Sequence, residues 1–430
     1  MMKYSMLVMI AACGGGGAMQ AMPDAASHDA MRDASRPVDS EPSTCPDGED
    51  TPASCGPECK RCPQPGHSEN GCSNGTCTFT CDSGYHTCST GCCLDFQSIA
   101  VGGPQACGVR SDGALLCWGG DTGNLKAGIS QGFTSGIASV ALGDQSTCVL
   151  TTGGAVQCWG RGDEGELGNG GTADSSTPVA VIGLGSGVTA IAAGDDFFCA
   201  LTTAGGVKCW GHAGEGQLGD GTANELVATP VQVYASGVAA IGASYEAACA
   251  VMTTGAVNCW GDHTLTNNDS GPVAVNISNA VAITGGDTHI CALTNAGTVE
   301  CFGDNFYGPL GDGTNNDADL SSPTQSAIAN VTQIAGGDGF TCATSAGAAM
   351  CWGGGGEGEI GDDDTANALS PVGVTGLQSG VTQVATGIAA LSACALVNGG
   401  IWCWGWNNAG QVGDQTTGNQ RNTPVQVLGI

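Results

Sequence analysis

The chain has 430 residues, with 40 acidic against 10 basic side chains and a formal net charge of −30. That balance argues against nucleic acid, whose binding needs phosphates neutralised, and against holding anionic lipid through the folded surface. It suits solubility and mutual repulsion on a crowded cell surface.

The N-terminus reads as an export signal. Lys3 supplies a minimal positive start, and Tyr4 to Ala12 is a nine-residue apolar stretch, too short to span a bilayer. It closes on Ile10-Ala11-Ala12-Cys13, which resembles a bacterial lipobox. Cleavage would remove residues 1–12 and leave Cys13 as a lipid-modified first residue; a plain signal with an incidental cysteine is the alternative. The run Gly14 to Gly17 suits a flexible tether, and Gly14 in place of aspartate resembles a signal that permits delivery to an outer membrane. The lipid anchor is then the chain's membrane contact, since no other segment is long and apolar enough to cross. Residues 13–44, rich in Ala, Asp, Ser, Pro and Met, read as a disordered linker. Residues 45–96 form a cysteine-rich module: Cys45, Cys55, Cys59, Cys62, Cys72, Cys77, Cys81, Cys88, Cys92 and Cys93, with only Phe79, Tyr85 and Leu94 as large apolar company. Such a stretch cannot build a core, so five disulfides of unknown connectivity are expected to hold it. Cys59-Lys60-Arg61-Cys62 has zinc-ligand spacing, which an oxidising compartment disfavours.

From there two cysteines recur seven times, as Cys107/Cys117, Cys148/Cys158, Cys199/Cys209, Cys249/Cys259, Cys291/Cys301, Cys342/Cys351 and Cys394/Cys403. The five pairs ten apart enclose three-residue loops whose last residue is glycine, at Gly113, Gly154, Gly205, Gly255 and Gly297. A three-residue hairpin loop needs a left-handed residue there, which glycine supplies without strain. The two pairs nine apart enclose Ala346-Gly347 and Asn398-Gly399, the second being the strongest two-residue hairpin signal. When the spacing shortens by one the loop shortens by one, so the cysteines stay opposite each other. Counting outward from the last turn, Val397/Gly400, Leu396/Ile401, Ala395/Trp402 and Cys394/Cys403 alternate in hydrogen bonding, and the cysteines fall at a non-hydrogen-bonded pair. There the Cα atoms approach to roughly 4.5 Å, near the lower end of the disulfide range. Seven cross-strand disulfides are expected; the alternative is cysteine as a small apolar residue on a buried face.

Each hairpin sits in a longer unit. Upstream lies an apolar strand ending in glycine, such as Val140-Ala141-Leu142-Gly143 or Ile191-Ala192-Ala193-Gly194. Downstream come Trp-Gly (at Trp118, Trp159, Trp210, Trp260, Trp352 and Trp404, with Phe302 in the remaining copy), a glycine-rich loop and a Pro-Val strand such as Thr229-Pro230-Val231. Four short strands per repeat without helical periodicity indicate a β-propeller, and seven copies indicate seven blades over residues 97–430. The fold class is therefore all-β, a seven-bladed β-propeller preceded by a disulfide-rich module and a tether. Closure is expected from the first and last strands, Ser98 to Val101 and Pro424 to Val427, completing one blade together, which would leave no long sheet edge.

The loops after Trp-Gly read Gly214-Glu215-Gly216-Gln217-Leu218-Gly219-Asp220-Gly221-Thr222, Gly308-Pro309-Leu310-Gly311-Asp312-Gly313-Thr314 and Gly410-Gln411-Val412-Gly413-Asp414. They resemble the GQLGxG signature of the RCC1 (regulator of chromosome condensation) repeat family over roughly residues 97–430, and the paired cysteines resemble exported bacterial members. After Trp118 and Trp260 the signature is lost, and those repeats are about nine residues shorter. The resemblance implies a seven-bladed propeller that acts through protein–protein contacts. Some members are exchange factors for small GTPases and some exported relatives inhibit other proteins. Exchange calls for a cytosolic GTPase and usually a protruding insertion. The first cysteines here are 41, 51, 50, 42, 51 and 52 residues apart, which leaves no room for a large one, so that activity is not transferred.

Catalytic signals are thin. His212, His263 and His289 are single departures from the repeat without an acid at fixed spacing, and solvated loop positions are their ordinary reading. Asp362-Asp363-Asp364 and Asp317-Ala318-Asp319 lack the alternating pattern of a calcium loop and read as turns. The glycine-rich loops lead to no helix, so phosphate binding is not supported. Trp402 and Trp406 are extra aromatics of the last copy, for a blade face or for a binding spot at the rim. The expectation is a non-enzymatic, surface-tethered module without metal or cofactor, binding an extracellular or envelope protein or a glycan. A guanine-nucleotide exchange factor, an exported enzyme acting on glycans and a purely structural envelope protein are the alternatives.

Overall fold

The cysteine hairpins form in the register counted from their turns. Cys394 faces Cys403, Ala395 faces Trp402, Leu396 faces Ile401 and Val397 faces Gly400. In the three-residue loops the closing glycines are left-handed, from φ 73° at Gly205 to 83° at Gly113. In the two short loops both turn residues are left-handed, Ala346 and Gly347 at 49° and 80°, Asn398 and Gly399 at 50° and 87°, which is the type I′ geometry that matches strand twist.

All seven cysteine pairs are disulfides across the hairpin. Cys107 is bonded to Cys117, Cys148 to Cys158, Cys199 to Cys209 and Cys249 to Cys259. Cys291 is bonded to Cys301, Cys342 to Cys351 and Cys394 to Cys403. One detail differs from the expectation. The Cα atoms are closer than a non-hydrogen-bonded pair alone would bring them, 4.1 Å apart at Cys107–Cys117 and Cys148–Cys158 and 4.0 Å at Cys249–Cys259. The covalent bridge draws the two strands together beyond what their ladder sets.

The computed structural model describes residues 68–73, 76–82, 85–88, 91–120, 124–261 and 269–428. The expected export signal and linker, with Cys13, Cys45, Cys55, Cys59, Cys62 and His263, lie outside them. Two small hairpins come first, Ser68–Ser73 with Thr76–Cys81 and Tyr85–Cys88 with Gly91–Leu94, and a Cys81–Cys92 disulfide ties one to the other. Seven antiparallel four-stranded sheets follow, each a meander of consecutive strands. They are the blades of a propeller: blade 1 spans residues 96–129, blade 2 137–180, blade 3 188–234, blade 4 238–275, blade 5 280–325, blade 6 331–373 and blade 7 381–426.

The core lies between blades, because each sheet is apolar on both faces and must cover both. Cys107 and Cys117 of blade 1 pack in one cluster with Trp159 of blade 2, and Cys148 and Cys158 of blade 2 with Trp210 of blade 3. Cys199 and Cys209 pack with Trp260, Cys249 and Cys259 with Phe302, and Cys291 and Cys301 with Trp352. Cys342 and Cys351 pack with Trp404, and Cys394 and Cys403 complete the circuit against Trp118 of blade 1. Each disulfide thus faces the aromatic residue of the following blade.

The glycine-rich loop serves the same interface. The indole of Trp210 donates to the Glu166 carbonyl at 2.8 Å, Trp260 to Gln217 at 2.9 Å, Trp352 to Pro309 at 2.7 Å, Trp404 to Glu359 at 2.7 Å and Trp118 to Gln411 at 2.8 Å. Each acceptor belongs to the loop of the preceding blade. The next loop residue, Leu167, Leu218, Leu310, Ile360 or Val412, is fully buried. The glycine after it lies flat under the indole: a Cβ on Gly219 would sit 2.6 Å from Trp260, at φ +69°. The two aromatics outside this set, Trp159 and Phe302, follow the two repeats that lost the signature. At Phe302, which has no N–H to satisfy, the aromatic changed along with the loop before it, while Trp159 kept its indole.

Closure differs from the expectation. The first and last strands do not share a blade: Arg421–Gln426 pairs with its own Gly400–Gly405, and Phe96–Gly102 with its own Gln105–Arg110. Blades 7 and 1 meet face to face like any other neighbours, around Trp118, Leu396, Ile401 and Val412. Backbone and amide bonds finish the junction. Phe96 donates to the Gly399 carbonyl at 3.0 Å, and Gln383 clasps Ile99 through both its N–H and its C=O, each at 3.0 Å. Gln333 clasps Val384 of blade 7 in the same way, at 2.7 and 2.8 Å. A seventh blade that meets the first at the ordinary blade spacing needs no shared strand.

Candidate binding face

An antiparallel meander sends its first and third connections to one side of the propeller and its second to the other. The side with the cysteine hairpin turns repeats small residues, as in Thr203-Ala204-Gly205 and Thr253-Thr254-Gly255. The opposite side carries the connections from first to second strand and the loops after Trp-Gly. Backbone bonds hold these two kinds of loop together, Arg161 donating to Gln145, His212 to Asp196 and Asp304 to Thr288. The loops after Trp-Gly on this face differ between blades, Asp163-Glu164 of blade 2 standing where blade 5 has Phe306-Tyr307.

Its centre is the mouth of a channel of about 240 Å³ walled by the first strands, among them Ile99, Leu142, Ile191, Ile241 and Ile283. Around the mouth stand Asp144, Asp195, Asp287 and Asp338, one from each of four blades, directly after the glycine that follows the first strand. Backbone N–H groups stitch the loops into a ring: Asp144 donates to the Asp195 carbonyl at 3.2 Å, Asp195 to Tyr245 at 3.1 Å, Asp287 to Gly337 at 3.3 Å and Asp338 to Ala390 at 3.1 Å. Burial, with the neighbouring Asp196 and Asp144, pushes the Asp195 carboxyl up to about 7. Burial and Asp338 push Asp287 up to about 6, and burial raises Asp338 and Asp196. The Asp195 charge pushes the Tyr245 hydroxyl up to about 12. The arginines here are already paired, Arg161 with Asp163 and with Asp196 at 3.1 Å, and Arg421 with Asp414. Among the described residues the face is therefore acidic, with its arginines paired.

The residues singled out from sequence scatter. The disulfide cysteines, Cys117, Cys158 and Cys259 among them, are buried in the seams between blades and take no part in this face. His212 lies on it, its Nδ1 2.6 Å from the Gln217 amide nitrogen. His289 is no solvated loop residue: it opens the second strand of blade 5, is fully buried, and its Nε2 lies 2.7 Å from Thr341 Oγ1 of blade 6. Its position corresponds to Phe197 and Phe340, which face the core between blades. Trp402 packs on a blade face and Trp406 is half-buried on the acidic side. Asp362 and Asp319 accept from the backbone two residues on, as turn residues do. Among the described residues no group of three or more His, Cys, Asp or Glu is placed to hold a metal ion.

Sequence reasoning missed the aspartate ring and one aromatic pair. The recurring Gly-Asp was visible, but which aspartates share a mouth depends on closure. Phe306 and Tyr307 are 67% and 48% exposed and meet edge to face with centroids 4.9 Å apart. The corresponding positions elsewhere are Asp163-Glu164, Gly214-Glu215, Gly356-Glu357 and Asn408-Ala409.

Comparison with known proteins agrees with the geometry. Two models of the regulator of chromosome condensation (RCC1) repeat match, one over residues 153–201 and 398–430, the other over residues 137–166, 188–217 and 280–308. A comparison with curated proteins finds no relative. Among solved structures, yeast RCC1 (Prp20) bound to Kap60 is similar with a TM-score of 0.62 at 20% identity, over 74% of this chain and 84% of that one. Prp20p from Saccharomyces cerevisiae, described with its binding properties to Gsp1p and histones, gives 0.62 at 19% identity, over 78% and 88%. Human WBSCR16 gives 0.60 at 20% identity, over 68% and 84%. At such identities the likeness shows the fold, while the repeat matches speak to descent. With seven blades joined through Trp-Gly and its glycine-rich loop, the chain carries repeats of the RCC1 type.

Proposed function

We propose that the chain is an exported, lipid-tethered binding module that holds a protein partner on its acidic face. One observation carries this: the loops of one side gather charged and aromatic residues that differ from blade to blade, while the hairpin turns of the other side are two or three residues long and close on glycine in every copy. A repeat scaffold that varies on one face keeps its fold in the repeat and its recognition in the departures. The yeast relative bound to Kap60, and studied for binding to Gsp1p and histones, supports a protein partner as the kind of ligand this fold takes. Seven core disulfides support an oxidising compartment, in line with the export signal and Cys13.

The test places a photo-crosslinking residue at Asp338 on the acidic face or at Thr203 on the opposite face, in cells that make the protein. A single protein crosslinked from position 338 alone is the expected result. Crosslinks from position 203 alone, or none from either, would sink the reading. Intact mass after alkylation without reduction tests the tether: an acyl mass on Cys13 and no free thiols are expected.

One observation favours a second reading, an exported enzyme acting on glycans. Asp195 holds its proton near neutrality beside Asp196 and Tyr245, the kind of environment that serves acid–base chemistry. A polysaccharide-cleaving activity abolished by Asp195→Asn would establish it. Exchange of guanine nucleotide on a small GTPase is not part of the proposal, because the repeat spacing leaves no room for a large insertion between blades.

A further inference from the structure

The face carries a feature that neither the fold nor the aspartate ring needs. Phe306 and Tyr307 expose two large rings where four other blades place Asp, Glu, Gly, Asn or Ala. Exposed aromatics on a charged surface cost solubility and contribute little to the core, so their place at this one loop calls for a use.

The loop is built to hold them still. Asn305 is fully buried, and its amide donates to the carbonyls of Thr314 at 3.1 Å and Asn316 at 3.0 Å while its oxygen accepts from Leu310 at 3.1 Å. The Asp304 carboxylate accepts from the Phe306 N–H at 3.0 Å. Tyr307 lies over the next blade, where a Cβ on Gly339 would sit 3.1 Å from its ring, and Gly339 directly follows Asp338. Leu369, 37% exposed, borders the same loop against Gly308. The rings thus form a preorganised apolar knob with Asp304 beneath it and Asp338 of the channel mouth beside it. Preorganised aromatic anchors lose little entropy on binding.

We propose that Phe306 and Tyr307 anchor a basic segment of a partner protein, an apolar residue seating on the two rings and lysine or arginine side chains reaching Asp304, Asp338 and Asp287. This rests on the reading of the chain as a protein-binding propeller and names the partner's chemistry. Charge complementarity selects that occupant. The arginines on this face are internally paired and the carboxylates crowd one another, so an incoming cation relieves repulsion that an anionic or neutral partner leaves in place. An arginine also gains over an exposed aromatic ring.

The probe is a synthetic peptide of alternating arginine, leucine and lysine, beside the same peptide with every base replaced by glutamate, and a neutral β-glucan oligosaccharide. Binding to the full chain is followed by fluorescence anisotropy at 50 and 300 mM salt. The test variant is Phe306→Asp with Tyr307→Glu, the pair that blade 2 carries at these positions, checked for an unchanged melting temperature. Thr203→Asp on the opposite face is the control. The basic peptide is expected to bind, the glutamate peptide to fail, and the loop variant to weaken binding at least tenfold while the control leaves it unchanged. Equal binding by wild type and loop variant, or an oligosaccharide as the only ligand the loop variant loses, overturns the proposal. A crosslinked partner that binds the loop variant as tightly as the wild type overturns the anchor while leaving the binding-module reading standing.

Discussion

At the residue scale, one loop signature explains itself once its atoms are placed. The glycine under the indole is left-handed and has no room for a Cβ. Gly219→Ala should destabilise the propeller by about 2–4 kcal/mol, combining strain with the displaced Trp260 ring, as read in chemical denaturation. The position before the buried leucine admits a sharper test. Gln217 and Gln411 use their side-chain oxygen to accept from the backbone two residues earlier, and Glu166 and Glu359 do the same with a carboxylate. Burial pushes the Glu359 carboxyl up to about 7. A carboxyl that titrates higher in the folded chain than in the unfolded one takes up a proton on folding, so its charged form costs stability above that range. Glu359→Gln keeps the hydrogen bond and removes the charge. It should raise stability at pH 8 by on the order of 2 kcal/mol, a gain that shrinks towards zero at pH 4.5. An equal gain at both pH values would show that packing, not charge, is responsible.

At the element scale the hairpin is the unit that sequence reads best, because its turn, register and disulfide are local. The cysteines lie in the dry seam between blades, at most 8% exposed, a value reached at Cys117, while Cys158 and Cys259 are fully buried. Reductant should therefore leave the folded propeller oxidised, with full alkylation appearing by mass only when denaturant is added. Replacing Cys199 and Cys209 by alanine together should cost about 2–3 kcal/mol. Among the seven cysteine hairpins Ala346 marks the weak turn, being left-handed at φ 49° without the side chain that favours it. Ala346→Asn would make it an Asn-Gly turn like that of blade 7 and should stabilise by about 0.5 kcal/mol, seen as a small rise in melting temperature.

On the scale of the whole molecule, charge and closure act together. Glu166, Asp195, Asp287 and Glu359 are each raised to between about 6 and about 7, with burial as the main cause. Folding then takes up protons across roughly pH 4 to 7, and stability falls as pH rises through that window. The net charge of −30 pushes the same way. Against the pull of burial, hydrogen bonds from Thr314 hold Asp312 low, and those from Thr416 and Arg421 hold Asp414 low, so stability is lost again in stronger acid. The melting temperature should therefore be several degrees higher at pH 5 than at pH 8; a flat profile between them would show that these carboxyls are as ionised in the folded chain as in the unfolded one.

The sequence alone determined what repeats and what is local. Seven hairpins, their left-handed glycines and the cysteine register follow from spacing, since each is decided by residues within about ten positions of one another, and the four-strand repeat follows from its recurrence. The loop signature was legible as a motif, yet its purpose was not, because the carbonyl of Gln217 meets its indole in the next repeat at Trp260. Only the tertiary structure decided how the ring closes, through the Gln383 clasp on Ile99, residues 284 apart, and not through a shared strand. It also decided that His289 is core and that Asp144, Asp195, Asp287 and Asp338 surround one mouth near an exposed aromatic pair. The physical reason is the same in each case: a repeat sequence sets the contacts within a blade, while the position of non-equivalent residues from distant blades around one axis is set by the geometry of the closed ring.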